Sequence, residues 1–255
     1  MKIATWNVNS IGVRLERLLR WLAAHQPDVL CLQETKVVDE KFPFAEIEKA
    51  GYRAHAFGQK TYNGVALLSR APLEEVARGF GDAALDVQAR LIAGRSGGVT
   101  VMSVYVPNGA EVGSEKWAYK LDWLKRLGRH LAERHRADEP LVLCGDFNVA
   151  PDQRDVALPE AWASSVLFHP EARRALQELL AFGLVDVFRR HHAEGGFYSW
   201  WDYRMLAFPK NDGLRIDHLF ATPPYAARST EAAIDRQERK GKQPSDHAPV
   251  YAVFS

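Results

Sequence analysis

The chain has 255 residues, 47% of them apolar, enough to bury a large fraction of its surface, so a single catalytic domain over 1–255 is expected. Lysine plus arginine total 33 against 32 aspartate plus glutamate, which excludes capture of a polyanion by the overall field and leaves that work to a local basic face. No apolar stretch is long enough to cross a bilayer, no leader precedes the first strand pattern, and Cys31 and Cys144 lie in apolar runs; a cytoplasmic protein with reduced thiols and no membrane partner is expected.

Residues 3–7 alternate as a short strand, and Leu15, Leu18, Leu19 and Leu22 then place one apolar stripe on a helix. Pro27-Asp28 ends it, and residues 29–32 read as a buried strand delivering Glu34. Further strands are predicted at 64–69, 90–93, 99–105, 141–144, 215–221 and 248–254, with helices near 117–133 and 171–180. Many half-buried strands with few helices predict two packed sheets flanked by helices, not one doubly wound parallel sheet. Two strand ends echo each other, Leu30-Cys31-Leu32-Gln33-Glu34 and Val142-Leu143-Cys144-Gly145-Asp146; equivalent strands would bring both acids to one edge of the sandwich. The polar run 235–243 is expected to be a solvated loop.

Acidic residues recur where apolar strands end: Glu34, Asp146, Asp217 and the Asp246-His247 pair. That pattern points to metal-dependent phosphodiester hydrolysis, which needs phosphate charge neutralised, a water activated and a leaving oxygen stabilised. Glu34 is the candidate ligand, because a hard divalent cation needs only one or two protein carboxylates. In Gly145-Asp146-Phe147-Asn148 the glycine permits close backbone approach, and Asp146 with Asn148 could position a water and a phosphate oxygen, or simply form an Asx turn. His247 stands between a carboxylate and Pro249 and could stabilise phosphate charge or act as a base, whereas His218 should point away from Asp217. Trp200-Trp201 with Arg204 could stack on a base or sugar, at least one of the two tryptophans being core. No Cys/His spacing for zinc exists.

Taken in order, Thr5–Ser10 (TWNVNS), Leu32–Lys36 (LQETK), Tyr105–Asn108 (YVPN), Gly145–Pro151 (GDFNVAP), Gly213–His218 (GLRIDH) and Ser245–Pro249 (SDHAP) resemble the exonuclease III family of DNA-repair nucleases over essentially the whole chain. The resemblance implies a four-layer α/β-sandwich, two mixed β-sheets flanked by helices, with the site at one edge. It implies a magnesium- or manganese-dependent enzyme, expected as a monomer, acting on double-stranded DNA with abasic sites or blocked 3′ ends. By position Glu34 would be the principal metal ligand, Asn7 would support the metal shell, and Asp246 would lie near a second metal position. Asp146 would activate or orient water, Asn148 would hold water and phosphate, Tyr105 would contact phosphate, and Asp217 would orient His247. Asn108 would contact DNA; Trp200, Leu214 and Ile216 resemble the walls of a pocket for a flipped abasic sugar, and Arg204 falls where a side chain enters the DNA groove. One departure is the segment 109–115, which lacks the arginine that some relatives carry; Lys116 and Lys120 are the nearest cations. Inositol-lipid phosphatases and phospholipases share the architecture, but Trp200-Trp201, Arg204 and the full-length motif match favour DNA.

Overall fold

A computed structural model describes residues 1–83 and 86–255. Its strands are β1 (Lys2–Asn7), β2 (Val29–Gln33), β3 (Arg53–Phe57), β4 (Val65–Ser69), β5 (Glu74–Arg78), β6 (Leu91–Ser96), β7 (Val99–Tyr105), β8 (Leu141–Asp146), β9 (Val185–Asp186), β10 (Asp217–Ala221), β11 (Ser229–Ile234) and β12 (Val250–Phe254). The helices are α1 (Ile11–His25), α2 (Phe44–Lys49), α3 (Glu115–Arg134), α4 (Pro159–Trp162), α5 (Pro170–Leu180), α6 (Val187–His191), α7 (Ala207–Lys210) and α8 (Pro223–Ala226). Two six-stranded sheets result, ordered β11-β12-β1-β2-β4-β3 and β5-β6-β7-β8-β10-β9.

The two sheets repeat one plan. In the first, α1 connects the parallel pair β1–β2, flanked by antiparallel β12 and β4; in the second, α3 connects the parallel pair β7–β8, flanked by antiparallel β6 and β10. The echo between residues 30–34 and 142–146 therefore marks equivalent strands, β2 and β8. Cys31 and Cys144 face each other across the sheets with sulfurs 3.2 Å apart, both as free thiols.

Strand alternation builds the layers. Ile3, Cys31, Val101, Val142, Cys144 and Leu219 point between the sheets, while Ala4 and Trp6 turn to α1 and Leu141 and Leu143 to the α3–α5 layer. Ser114 caps α3 by accepting from Trp117 N at 3.1 Å. Gln26 closes α1 in the left-handed conformation (φ 47°), its N–H donating to the Leu22 carbonyl, and Pro27 follows where no further helical donor is needed.

The predicted central strands and long helices are present, with boundaries shifted by a few residues. Sequence patterns missed β3, β5, β9 and β11, which are the four edge strands. The 235–243 run is less solvated than expected: Arg239 is buried against the rings of Tyr203 and Phe208, and Arg17 pairs with Glu238 at 2.7 Å.

Candidate active site

Residues Asn7, Tyr105, Asp146 and Asp217 end β1, β7 and β8 and begin β10, on the same alternation as the inter-sheet core. All four therefore face the seam between the sheets at one edge. Register places Tyr105 opposite Asp146 and Asp146 opposite Asp217. Gly145 makes this delivery possible: at φ 149° its missing Cβ would stand 1.9 Å from the Val104 carbonyl oxygen, so no other residue lets β8 run so close to β7. Glu34 and Asn148 follow their strands at φ 51° and φ 50°, left-handed conformations rare for such residues and costing about 1–3 kcal/mol each.

Hydrogen bonds bind the cluster together. Asn7 Nδ2 donates to Glu34 Oε1 at 2.8 Å and to Asp146 Oδ2 at 2.9 Å, while its oxygen accepts from Asn9 N at 3.0 Å. Asn7 thus orders the two carboxylates. Asp146 Oδ1 accepts from Asn148 N at 2.9 Å, so the Asx turn and the functional placement of Asn148 coexist. Asn148 Nδ2 donates to Val106 O at 3.0 Å and its Oδ1 accepts from Asn108, which is exposed at the rim. His247 Nδ1 lies 2.8 Å from Asp217 Oδ2, and its Nε2 lies 3.8 Å from Asp146 Oδ2. Ligand atoms of Glu34, Asp146 and His247 fall within 4.8 Å of one another. The two carboxylates offer oxygen donors of the kind that fit a hard divalent cation.

Electrostatics divides the roles. Burial pushes the His247 imidazolium down, but Asp217 and Asp146 outweigh it and raise its pKa to about 10. Asp146 moves the other way for a carboxyl: burial, then the carboxylates of Asp217 and Glu34, lift it to about 7 against the pull of His247. The pair of carboxylates thus favours the protonated form of His247, while burial and like charges raise the proton affinity of Asp146. Burial and the neighbouring acids hold the Tyr105 phenol well above its ordinary value, so it remains a donor.

Other expected site residues fall differently. Asp246 lies outside the Glu34–Asp146–His247 group: its oxygens accept from Trp200 Nε1 and Asn9 Nδ2, each at 2.9 Å, so it orients Trp200. Arg204 is open to solvent on the 202–206 loop, paired with Asp202 at 2.7 Å. Trp200 keeps exposed surface, edge-on to Trp162 at 5.8 Å. Leu214 and Ile216, expected as walls of an open slot, are closed at 0% and 1% exposure in the cluster holding Leu143, Phe147 and Val156, with Trp162 and Trp200 packed against it. Leu214→Ala is therefore expected to act as a core truncation, costing about 2–5 kcal/mol and depressing cleavage at abasic, intact and 3′-phosphate substrates together. Thermal melts beside three-substrate kinetics check this; loss confined to abasic cleavage at unchanged Tm would restore the slot.

His218 does point away from Asp217, stacking on Phe220 and reaching the Val149 carbonyl at 2.9 Å. Sequence patterns missed Ser199, Asn9 and Lys36. Ser199 Oγ donates to Asp217 Oδ2 at 2.6 Å and accepts from Asp217 N at 3.0 Å, and Lys36 pairs with Glu34 at 2.8 Å. Lys36 was legible as the cation two residues beyond Glu34; nothing local marks Ser199.

The model of the Endonuclease/Exonuclease/phosphatase family matches residues 4–247. A Haemophilus influenzae protein named exodeoxyribonuclease III is 35% identical, the match covering 100% of both chains. Among solved structures, an AP endonuclease from Archaeoglobus fulgidus is 42% identical with a TM-score of 0.97, over 100% of this chain and 99% of that one. A 3′ phosphatase, NExo, from Neisseria, bound to a product DNA hairpin, is also 42% identical, with a TM-score of 0.96 over 100% and 99% of the two chains.

Proposed function

The chain belongs to the endonuclease/exonuclease/phosphatase family, and from that premise we propose a metal-dependent DNA-repair phosphodiesterase. It incises duplex DNA 5′ to abasic sites and processes 3′ ends as a 3′-to-5′ exonuclease and end-cleaning phosphatase or phosphodiesterase. The observation that carries this reading is the convergence of Glu34, Asp146 and the Asp217–His247 pair at one edge of the two sheets. Full-length similarity to proteins named AP endonuclease and 3′ phosphatase supports DNA as the substrate. The chain acts as one domain and as a monomer in the cytoplasm, a location its two free thiols favour.

Magnesium, or manganese in its place, would be held by Glu34 in an arrangement that Asn7 orders. When bound it neutralises phosphate charge. Asp146 takes the proton of the attacking water, a role supported by its burial beside the carboxylates of Glu34 and Asp217, which raises its proton affinity. His247, kept charged and oriented by Asp217, donates from Nε2 to the phosphate as charge develops. Asn148 and the Tyr105 phenol donate to phosphate or water from the second sheet. Trp200, Arg204 and Asn108 line the approach of DNA.

Four duplexes test this reading with one purified sample: an internal abasic site, a 3′-phosphate, an intact recessed end and an RNA strand, with a phosphoinositide as control. Turnover of the phosphoinositide alone would sink it. Binding should show a moderate salt slope, because a net charge of +1 leaves only a few phosphate contacts. Dissociation constants of Asp146→Asn across salt concentrations measure it; a slope equivalent to about ten neutralised phosphates would reveal a large basic face.

A further inference from the structure

The face of α3 that meets the core runs through Trp117, Lys120, Leu124, Leu127 and Leu131, so a lysine occupies a position where helical periodicity calls for an aliphatic side chain. It is 0% exposed, and no ion pair of Lys120 is found among the described residues. An isolated buried ammonium is costly unless every N–H is used. Here all three are used: Nζ donates to the carbonyls of Asn108 at 3.1 Å, Asn148 at 2.7 Å and Val166 at 2.6 Å. Lys120 is thus withdrawn from solvent and cannot grip DNA, contrary to its place as a nearby cation in the sequence.

We propose that Lys120 is a positioning residue of the active site, clamping the backbone behind Asn108 and Asn148 so that the joined pair holds the Asn108 amide at the substrate phosphate in a fixed geometry. The inference rests on the phosphodiesterase reading above. Several contacts give the clamp its purpose. Asn108 Nδ2 donates to Asn148 Oδ1 at 3.0 Å, so the two clamped residues are also joined at the rim of the site. The turn at Asn148 is left-handed, a backbone that asparagine tolerates, and it is held at consecutive carbonyls: Asn148 by Lys120 and Val149 by His218. Gly109, at φ 96°, leaves room for the lysine stem, since a Cβ there would stand 3.1 Å from Lys120 Cδ. Burial pushes the amine down to about 7 while Asp146 pulls it up, so the protein bears a cost for a charge it could have replaced with leucine.

Lys120→Met keeps the length and removes the donors; Lys120→Gln keeps two. Leu127→Ala, on the same buried face of α3 but away from the carbonyls, reports loss of helix packing alone. Turnover on a 3′-phosphate duplex, measured well below each Tm, is expected to fall about 10- to 100-fold in Lys120→Met, with partial recovery in Lys120→Gln and none of this loss in Leu127→Ala. Magnesium affinity should be unchanged, and the side-chain amide NMR signals of Asn108 and Asn148 should shift and broaden. Adding Lys120→Met to Asn148→Ala should cost little further, because the lysine acts through that residue. Activity loss that merely tracks Tm, as in Leu127→Ala, or unmoved amide signals in both lysine variants, would overturn the clamp. Wild-type turnover in Asn148→Ala would instead defeat the phosphate-contact reading, while the amide signals still decide the clamp.

Discussion

Glu34→Gln is expected to cut turnover by about 10³-fold or more while leaving the melting temperature within a few degrees of wild type. Glu34 Oε1 accepts from Asn7 and its Oε2 pairs with Lys36, contacts a neutral amide can keep only in part, yet the residue lies at a strand end and belongs to no hydrophobic cluster. What the substitution removes is the charge proposed to hold the cation. Metal-assisted stabilisation of a phosphoryl transition state is worth several kcal/mol, and each 1.36 kcal/mol is tenfold in rate. Calorimetric titration with magnesium should give a much weakened dissociation constant, and excess manganese should restore activity only in part. Near-wild-type turnover in magnesium would falsify the ligand role.

Removing Asp217's charge should have the next largest effect. In Asp217→Asn, His247 keeps its burial, which depresses its pKa, and loses the largest influence raising it, so its titration should move from about 10 down toward or below the ordinary 6.5. The imidazole then becomes neutral in the physiological range and its oriented donor is lost, lowering turnover at neutral pH by about 10²-fold or more. Stability follows the same linkage. His247 has a folded pKa above its unfolded value, so its contribution is fully present below about 6.5 and is lost as pH rises through about 10. In metal-free wild-type protein, stability from this group should therefore decline across pH 6.5 to 10, and Asp217→Asn should flatten that decline. NMR titration of the His247 ring with parallel denaturation curves measures both; an unchanged titration on losing Asp217 rules out the pairing.

Much of the chemistry was legible in the chain because it is written locally. A buried apolar run followed by an acid is visible for β2 and Glu34, for β8 and Asp146, and, by the motif around it, for Asp217. The echo between β2 and β8 predicted equivalent strands, and the two sheets repeat one plan. The central strands and the helices α1, α3 and α5 were readable because burial on one or both faces imposes a period. The edge strands were not: β5 reads EEVAR and is largely open to solvent, β11 reads STEAAI and is only partly buried, and each pairs on one side only, so neither carries a long apolar run.

Only the tertiary structure could decide which way a side chain's polar atoms are spent. Asp246 sits beside His247 in sequence, but the indole of Trp200 and the amide of Asn9 take both its oxygens. Leu214 follows a glycine in a motif that implies a slot, and in the fold it is buried in the cluster around Phe147 against which Trp200 packs. Lys120 is in sequence only one of the cations nearest the segment 109–115, and three carbonyls from distant segments make its burial tolerable. The protonation of His247 and Asp146 likewise depends on charges brought together from β8, β10 and the loop before β12. Sequence determines residue type and local period, and with them the site's ingredients. Desolvation and the sharing of hydrogen bonds are properties of packed space, set by residues dozens to hundreds of positions apart, and those determine which ingredients face the substrate.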